Sequence, residues 1–214
     1  MTLAERPFEV NSGPLRLDGR LHEGAGRLSV LVLHPHPQFG GDMDNHVVVA
    51  ACEAFAASRA TTLRFNFRGV GRSTGAHDGA AGEADDARAA LAALRALRPD
   101  AAVALAGYSF GATVAASIAD AGLGALILIS PPVAVTPLPP VPAGLQALLL
   151  TGERDELAPS ARLQAMVTPS SRLVIVPGAG HGWSPGLDPL SVQLRATAAE
   201  LARGNLLPTW GSCR

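Results

Sequence analysis

Residues 101–119 read AAVALAGYSFGATVAASIA, and within them Gly107-Tyr108-Ser109-Phe110-Gly111 matches the G-x-S-x-G pattern. Its flanks give the match its meaning. The apolar run AAVALA suits a buried strand and FGATVAASIA suits a helix, so Ser109 stands at a strand-to-helix turn. Such a turn lifts a serine hydroxyl above a sheet, and small flanking glycines let the backbone fold that tightly. A second match, Gly71-Arg72-Ser73-Thr74-Gly75, lies in polar, glycine-rich sequence on both sides. With 23 glycines in 214 residues, composition alone yields roughly 0.15 matches by chance. Ser109 is therefore read as the nucleophile and Ser73 as a loop residue.

The alternation of apolar runs and alanine-rich helical patterns extends in both directions. PFEVNSGPLRLDGRLHEG (7–24) places Leu15, Leu17 and Leu21 between polar residues after a Gly-Pro turn, the pattern of an antiparallel hairpin. RLSVLVLH (27–34) and ATTLRFNF (60–67) read as strands. DNHVVVAACEAFAASR (44–59) reads as a helix capped by Asp44, and EADDARAALAALRALR (83–98) as a helix stopped by Pro99. ALILIS (125–130), LQALLLTG (145–152) and SRLVIVPG (171–178) read as further strands, with helices near 159–167 and 189–203. Strands separated by helices pair in parallel, and continuous apolar runs suit strands covered on both faces. The expected fold class is α/β in three layers, a mostly parallel sheet with an antiparallel N-terminal hairpin. The proline-rich stretch 131–144 is too short for a lid domain, and a single domain over 1–214 is expected.

In such sheets ligands sit at the carboxyl ends of the parallel strands. Asp155 follows LQALLLTG in GERDELAP, and His181 follows SRLVIVPG in GAGHGW. The order Ser, Asp, His at successive strand ends is the one this turn chemistry uses. Imidazole titrates near neutrality and can take the serine proton, while a buried carboxylate fixes its tautomer and stabilises the imidazolium. Glu153, Glu156 and Asp188 are alternative acids.

With these residues assembled, the chain resembles the α/β-hydrolase superfamily. It is most similar to small, lidless bacterial serine hydrolases, the dienelactone-hydrolase-like and predicted-hydrolase groups. The resemblance runs through HPHPQFGGDMDN, FNFRGVGRSTG, GYSFG and the GERD/GAGH pair. It implies Ser109 as nucleophile, His181 as general base and Asp155 as its orienting acid. It also implies an oxyanion hole formed by the backbone N–H of Phe110 and one from the loop after the first parallel strand. Many relatives read His-Gly-x-Pro there; this chain reads His34-Pro35-His36-Pro37, which makes His36 the second donor and Gln38 the alternative. Asn66 stands where many relatives carry aspartate. Dienelactone hydrolases proper use a cysteine nucleophile, where this chain has Ser109.

Composition narrows the chemistry further. All 17 basic residues are arginine, which removes Schiff bases, serine–lysine dyads and a Walker-type phosphate loop. A net charge of -1 without charged blocks points to neither nucleic acid nor a membrane surface. The N-terminus has no apolar signal core, and a cytoplasmic protein is expected. Cys52 and Cys213 make neither a disulfide framework nor a metal set. His34 and His36, with Asp42, Asp44 and His46, invite a metal reading. A metallohydrolase barrel needs further ligands and more chain, so no metal or other cofactor is expected. Phe39, Met43, Phe110, Val133 and Trp183 are candidates for an apolar acyl pocket; Arg68 and Arg72 are read as solvated or loop-bracing residues, with contact to an anionic substrate as the alternative. The expected activity is hydrolysis of small or short-acyl esters through an acyl-enzyme. Amide or peptide cleavage on the same triad and a catalytically quiet binding module are the alternatives. The tail residues Leu206, Leu207 and Trp210 could cap the domain or meet a partner, a homodimer included.

Overall fold

The computed structural model describes residues 3–203. Strands β1 (Arg6–Ser12), β2 (Leu15–His22), β3 (Leu28–Leu33), β4 (Thr61–Phe65), β5 (Ala102–Tyr108), β6 (Ala125–Ile129), β7 (Ala147–Gly152) and β8 (Ser171–Val176) form one eight-stranded sheet. Its order is β1-β2-β4-β3-β5-β6-β7-β8. β1 and β2 form the expected hairpin, β2 also pairs antiparallel with β4, and all other pairings are parallel. The helices are α1 (His46–Ala56), α2 (Ala81–Leu97), α3 (Phe110–Ile118), α4 (Ser160–Gln164) and α5 (Leu187–Ala202). Residues 130–146 contain turns and neither helix nor strand, so the carboxyl ends of the central strands have no lid over them from this segment. Among the described residues no helix is long and apolar enough to cross a membrane.

The central strands are apolar at every position because both faces are covered, and the two-residue period of a strand sorts them. Leu31, Leu33, Leu105, Leu126, Leu128 and Leu149 point to the face packed by α2, α3 and α4. Val30, Val32, Ala104, Ala106, Ile127, Ile129, Leu148 and Leu150 point to the opposite face, under α1 and α5. Each large aliphatic side chain buried in this way contributes about 1.5–3 kcal/mol, so the strand register is fixed from both sides.

Among the boundaries that differ from the sequence reading are those of α1, α2 and α4. The cap of α1 is Asn45, whose side chain accepts the Val47 N–H; Asp44 is drawn off to the Arg64 guanidinium instead. α2 begins earlier, at Ala81, because the Asp78 carboxylate accepts the Gly82 N–H and Glu83 accepts that of Ala80. α4 covers only Ser160–Gln164.

The turn between β5 and α3 is held by backbone contact. A Cβ on Gly107 would stand 2.2 Å from the Gly111 carbonyl oxygen, and one on Gly111 would stand 2.5 Å from that of Leu33. Backbone cannot swing aside as a flexible side chain can. Gly111→Ala is therefore expected to lower stability by about 2–4 kcal/mol in urea denaturation. An unchanged midpoint would contradict this close approach.

Candidate active site

Ser109 joins β5 to α3 with φ 53° and ψ -118°. Its N–H is tied to the Ile129 carbonyl at 2.9 Å, so the strained residue is fixed to the neighbouring strand. Ser109 Oγ lies 2.9 Å from His181 Nε2. His181 Nδ1 in turn lies 2.9 and 3.1 Å from the two carboxylate oxygens of Asp155. Asp155 is buried just past β7, and one of its oxygens also accepts the Leu157 and Ala158 N–H groups. Burial opposes its charge, but hydrogen bonds from His181, Ser130 and Ala158 outweigh burial and hold the carboxyl below its ordinary range.

Two further groups fix the His181 loop. Tyr108 Oη donates to the His181 carbonyl at 2.8 Å. Burial, helped by the charge of Asp155, pushes the phenol up to about 12, so it remains a donor. From α1, the His46 Nε2–H donates to the Gly182 carbonyl at 2.9 Å. Neither residue had been given this role from the sequence, although Tyr108 lies inside the G-x-S-x-G match.

Opposite His181 stands the loop after β3. Phe110 opens α3, where a backbone N–H has no intrahelical acceptor. Among the described residues neither its N–H nor that of His36 is hydrogen-bonded. The Gln38 N–H is taken, donating to His36 Nδ1 at 3.2 Å. A 3-10 turn over Pro37–Phe39 brings the chain back, with Gly41 N–H bonded to the His36 carbonyl. The His36 ring packs against Phe110, Phe39 and His77 at centroid distances of 4.7, 5.0 and 5.0 Å. His77 is held behind it by the buried Glu83 carboxylate at 2.6 Å. A cavity of about 260 Å³ opens over Ser109 and His181, walled by His36, Phe39, Tyr108 and Leu157.

A family model described as serine aminopeptidase, S33, matches residues 40–174. A solved α/β serine hydrolase homologue from Coxiella burnetii superposes with a TM-score of 0.82 at 30% identity, covering 90% of this chain and 96% of that one. The chain belongs to this family of α/β hydrolases. A lidless α/β serine hydrolase from Xanthomonas campestris aligns with TM-score 0.81 and 29% identity over 99% of both chains. An uncharacterized protein of Rickettsia prowazekii is 41% identical over 123 residues, 55% of this chain and 52% of its own length. The chain thus spans about half the length of that curated relative.

In this α/β hydrolase several residues do other work than the sequence suggested. Of the pocket candidates, Phe39 walls the cavity, its side chain 87% exposed at the rim. Met43 and Trp183 are buried in the fold, and Val133 packs against the core beside α4; none of the three is among the residues lining the cavity. Apolar residues in loops can turn inward as readily as toward a ligand, which is why their side was unreadable. Arg68 braces the buried Asp86 through two nitrogens, at 2.8 and 3.0 Å. Arg72 lines a separate groove with Pro7 and Arg16. Glu153 accepts the Gly178 N–H, and Asp188 lies in the first turn of α5. Cys52 is fully buried in α1, and burial pushes its thiol up to about 12. Cys213, Leu206, Leu207 and Trp210 lie outside the described residues. Ser73 is a structural hydroxyl: it donates to the Asn66 carbonyl at 2.7 Å and accepts the Asp18 N–H at 2.9 Å.

The histidine-rich loop is knitted together by its own ring nitrogens. His34 Nδ1–H donates to the Pro35 carbonyl at 2.7 Å, and its Nε2 accepts the Phe67 N–H at 3.0 Å. Both nitrogens are therefore engaged, as Asp44 and His46 are elsewhere. Asn66 completes the tie by accepting the Met43 N–H at 2.8 Å. Burial lowers His34 from 6.5 to about 4. The unfolded chain takes up this proton near 6.5 and the folded chain only near 4, so its stabilising effect is full above that range and is lost as pH falls through it. Between about pH 7.5 and 4.5 the wild type is expected to lose about 2–3 kcal/mol more stability than His34→Gln in urea denaturation. Parallel losses would contradict a neutral, buried His34.

Proposed function

We propose that this chain is a serine hydrolase that cleaves small, short-acyl carboxylic esters through an acyl-enzyme. The observation that carries the reading is the unbroken row from Ser109 Oγ to His181 Nε2, at 2.9 Å, and from His181 Nδ1 to Asp155, at 2.9 Å. Ser109 Oγ attacks the ester carbonyl carbon while His181 Nε2 takes its proton, and Asp155 stabilises the imidazolium through Nδ1–H. The oxyanion that forms is received by the N–H groups of Phe110 and His36, which have no other acceptor among the described residues. The engagement of the Gln38 N–H by the His36 ring favours His36 as the second donor. The intermediate collapses, the alcohol leaves with the proton from His181, and water, activated by the same imidazole, releases the acid.

The size of the site supports the substrate class. A cavity of about 260 Å³ lies below the usual range for drug-sized ligands, about 300–1,000 Å³. Its walls are mostly apolar, with Pro35, Phe39, Tyr108 and Leu157, and the His36 ring and the Asn45 amide are the polar side chains beside Ser109 and His181. The family description, serine aminopeptidase, favours amide or peptide cleavage as the second reading. The same acyl-enzyme serves both, and they differ in the leaving group that His181 must protonate.

The assay uses p-nitrophenyl acetate and butyrate as short-acyl ester substrates. Ser109→Ala should lower kcat by about 10³-fold or more. Ser73→Ala should keep most of the activity while losing about 1–2 kcal/mol of stability with its two hydrogen bonds. Equal losses of activity in both variants would reject Ser109 as the nucleophile. Faster turnover of aminoacyl p-nitroanilides than of esters would move the assignment to the second reading.

A further inference from the structure

Two polar side chains, His36 and Asn45, line the catalytic cavity beside Ser109 and His181. In both, a backbone N–H fixes which atom is left over. The Val47 N–H donates to the Asn45 side chain at 3.0 Å. A backbone amide can only donate, so the atom it meets is Oδ1, and the opposite arm of the side chain is the NH2 group, a donor only. The Gln38 N–H likewise donates to His36 Nδ1 at 3.2 Å. That nitrogen is therefore the unprotonated one, and the neutral ring carries its proton on Nε2. Among the described residues neither Asn45 Nδ2 nor His36 Nε2 has an acceptor. Acceptors on the same loop are already engaged. The Pro35 carbonyl receives His34 Nδ1–H, and the His36 carbonyl receives the Phe39 and Gly41 N–H groups.

We infer that Asn45 and His36 form a donor subsite that selects short esters carrying a second, neutral acceptor oxygen, such as an ether oxygen close to the scissile bond. The inference rests on the reading of Ser109 and His181 as the hydrolytic pair. A substrate that fills a mostly apolar cavity displaces the water these donors hold, and only an oxygen of its own restores the lost hydrogen bonds. Neither donor is charged, and among the described residues no arginine lines the cavity, so a carboxylate would enter without a counter-charge. Both donors are in place beforehand. The His36 ring is packed between Phe110 and Phe39, at 4.7 and 5.0 Å, and Asn45 is held at the head of α1 by its cap. Donors already ordered lose little freedom when a ligand arrives. A role in capping alone would be met as well by aspartate, which caps as strongly as asparagine. A role in packing alone would be met at His36 by phenylalanine.

The esters p-nitrophenyl methoxyacetate and p-nitrophenyl butyrate differ by one ether oxygen in place of a methylene, and the ratio of their kcat/KM values reads the subsite. The methoxy group also activates its ester chemically, by the same factor for every protein, so the comparison is made between full-length variants. Asn45→Asp keeps an oxygen for the Val47 N–H and replaces the donor arm with an acceptor. Its methoxyacetate-to-butyrate ratio is expected to fall about threefold to tenfold below that of the wild type, the range set by one lost hydrogen bond. His36→Phe is expected to lower the ratio by a similar factor, whatever it does to the butyrate rate. Ratios that stay at the wild-type value in both variants would overturn the inference. A second readout needs no turnover. In isotope-labelled Ser109→Ala, the NMR signal of the Asn45 side-chain NH2, identified by its loss in Asn45→Asp, is expected to shift on titration with methyl methoxyacetate and much less with methyl butyrate. Equal shifts with the two esters would also overturn the inference. A wild type that hydrolyses neither p-nitrophenyl ester would overturn the hydrolytic reading, and the titration would then decide the subsite.

Discussion

Ser109 sits at φ 53°, a conformation that costs an L-residue of this kind about 1–3 kcal/mol. Much of the molecule is arranged to hold it there. The two glycines of the motif let α3 press its first turn onto β5 and onto the end of β3, closer than any Cβ would allow. The parallel ladder fixes the serine amide to β6. A sheet buried on both faces resists the shift that would relax the turn. The hydroxyl is therefore held beside His181, and among the described residues the first amide of α3 has no acceptor.

The partners of Ser109 are fixed by different means. Asp155 follows directly from β7, and its own carboxylate accepts the amides of the residues after it. His181 lies farther from its strand, and its loop is tied at two successive carbonyls by Tyr108 and His46. On the opposite wall, His34 and Asn66 staple the loop after β3 to the loop after β4. Histidines that suggest metal binding when counted along the chain are spent on backbone carbonyls and amides. The same neutral imidazole that binds a metal also suits a buried donor–acceptor bridge, and only the neighbours decide between the two.

The architecture was legible because period and length separate buried strands from amphipathic helices. The convergence of Ser109, Asp155 and His181 was legible because each follows a strand that ends at the same edge of the sheet. What was hidden depends on distant partners. Asp44 looked like a cap until Arg64, on β4, claimed it, leaving Asn45 to cap α1. Met43 and Trp183 looked like pocket walls because loop residues carry no periodicity that reveals their side. The doubled G-x-S-x-G pattern was separable because Ser73 lacked both flanks, and its two hydrogen bonds explain its burial without any catalytic role.

The central claim is that Ser109 is the activated nucleophile, and active-site labelling tests it most directly. Cleavage at arginine puts Ser73 and Ser109 on different peptides. After treatment with a fluorophosphonate, mass spectrometry of the digest is expected to find one adduct, on Ser109. It should be absent from Ser109→Ala and slowed in His181→Ala. An adduct on Ser73, or undiminished labelling of Ser109→Ala, would contradict the account.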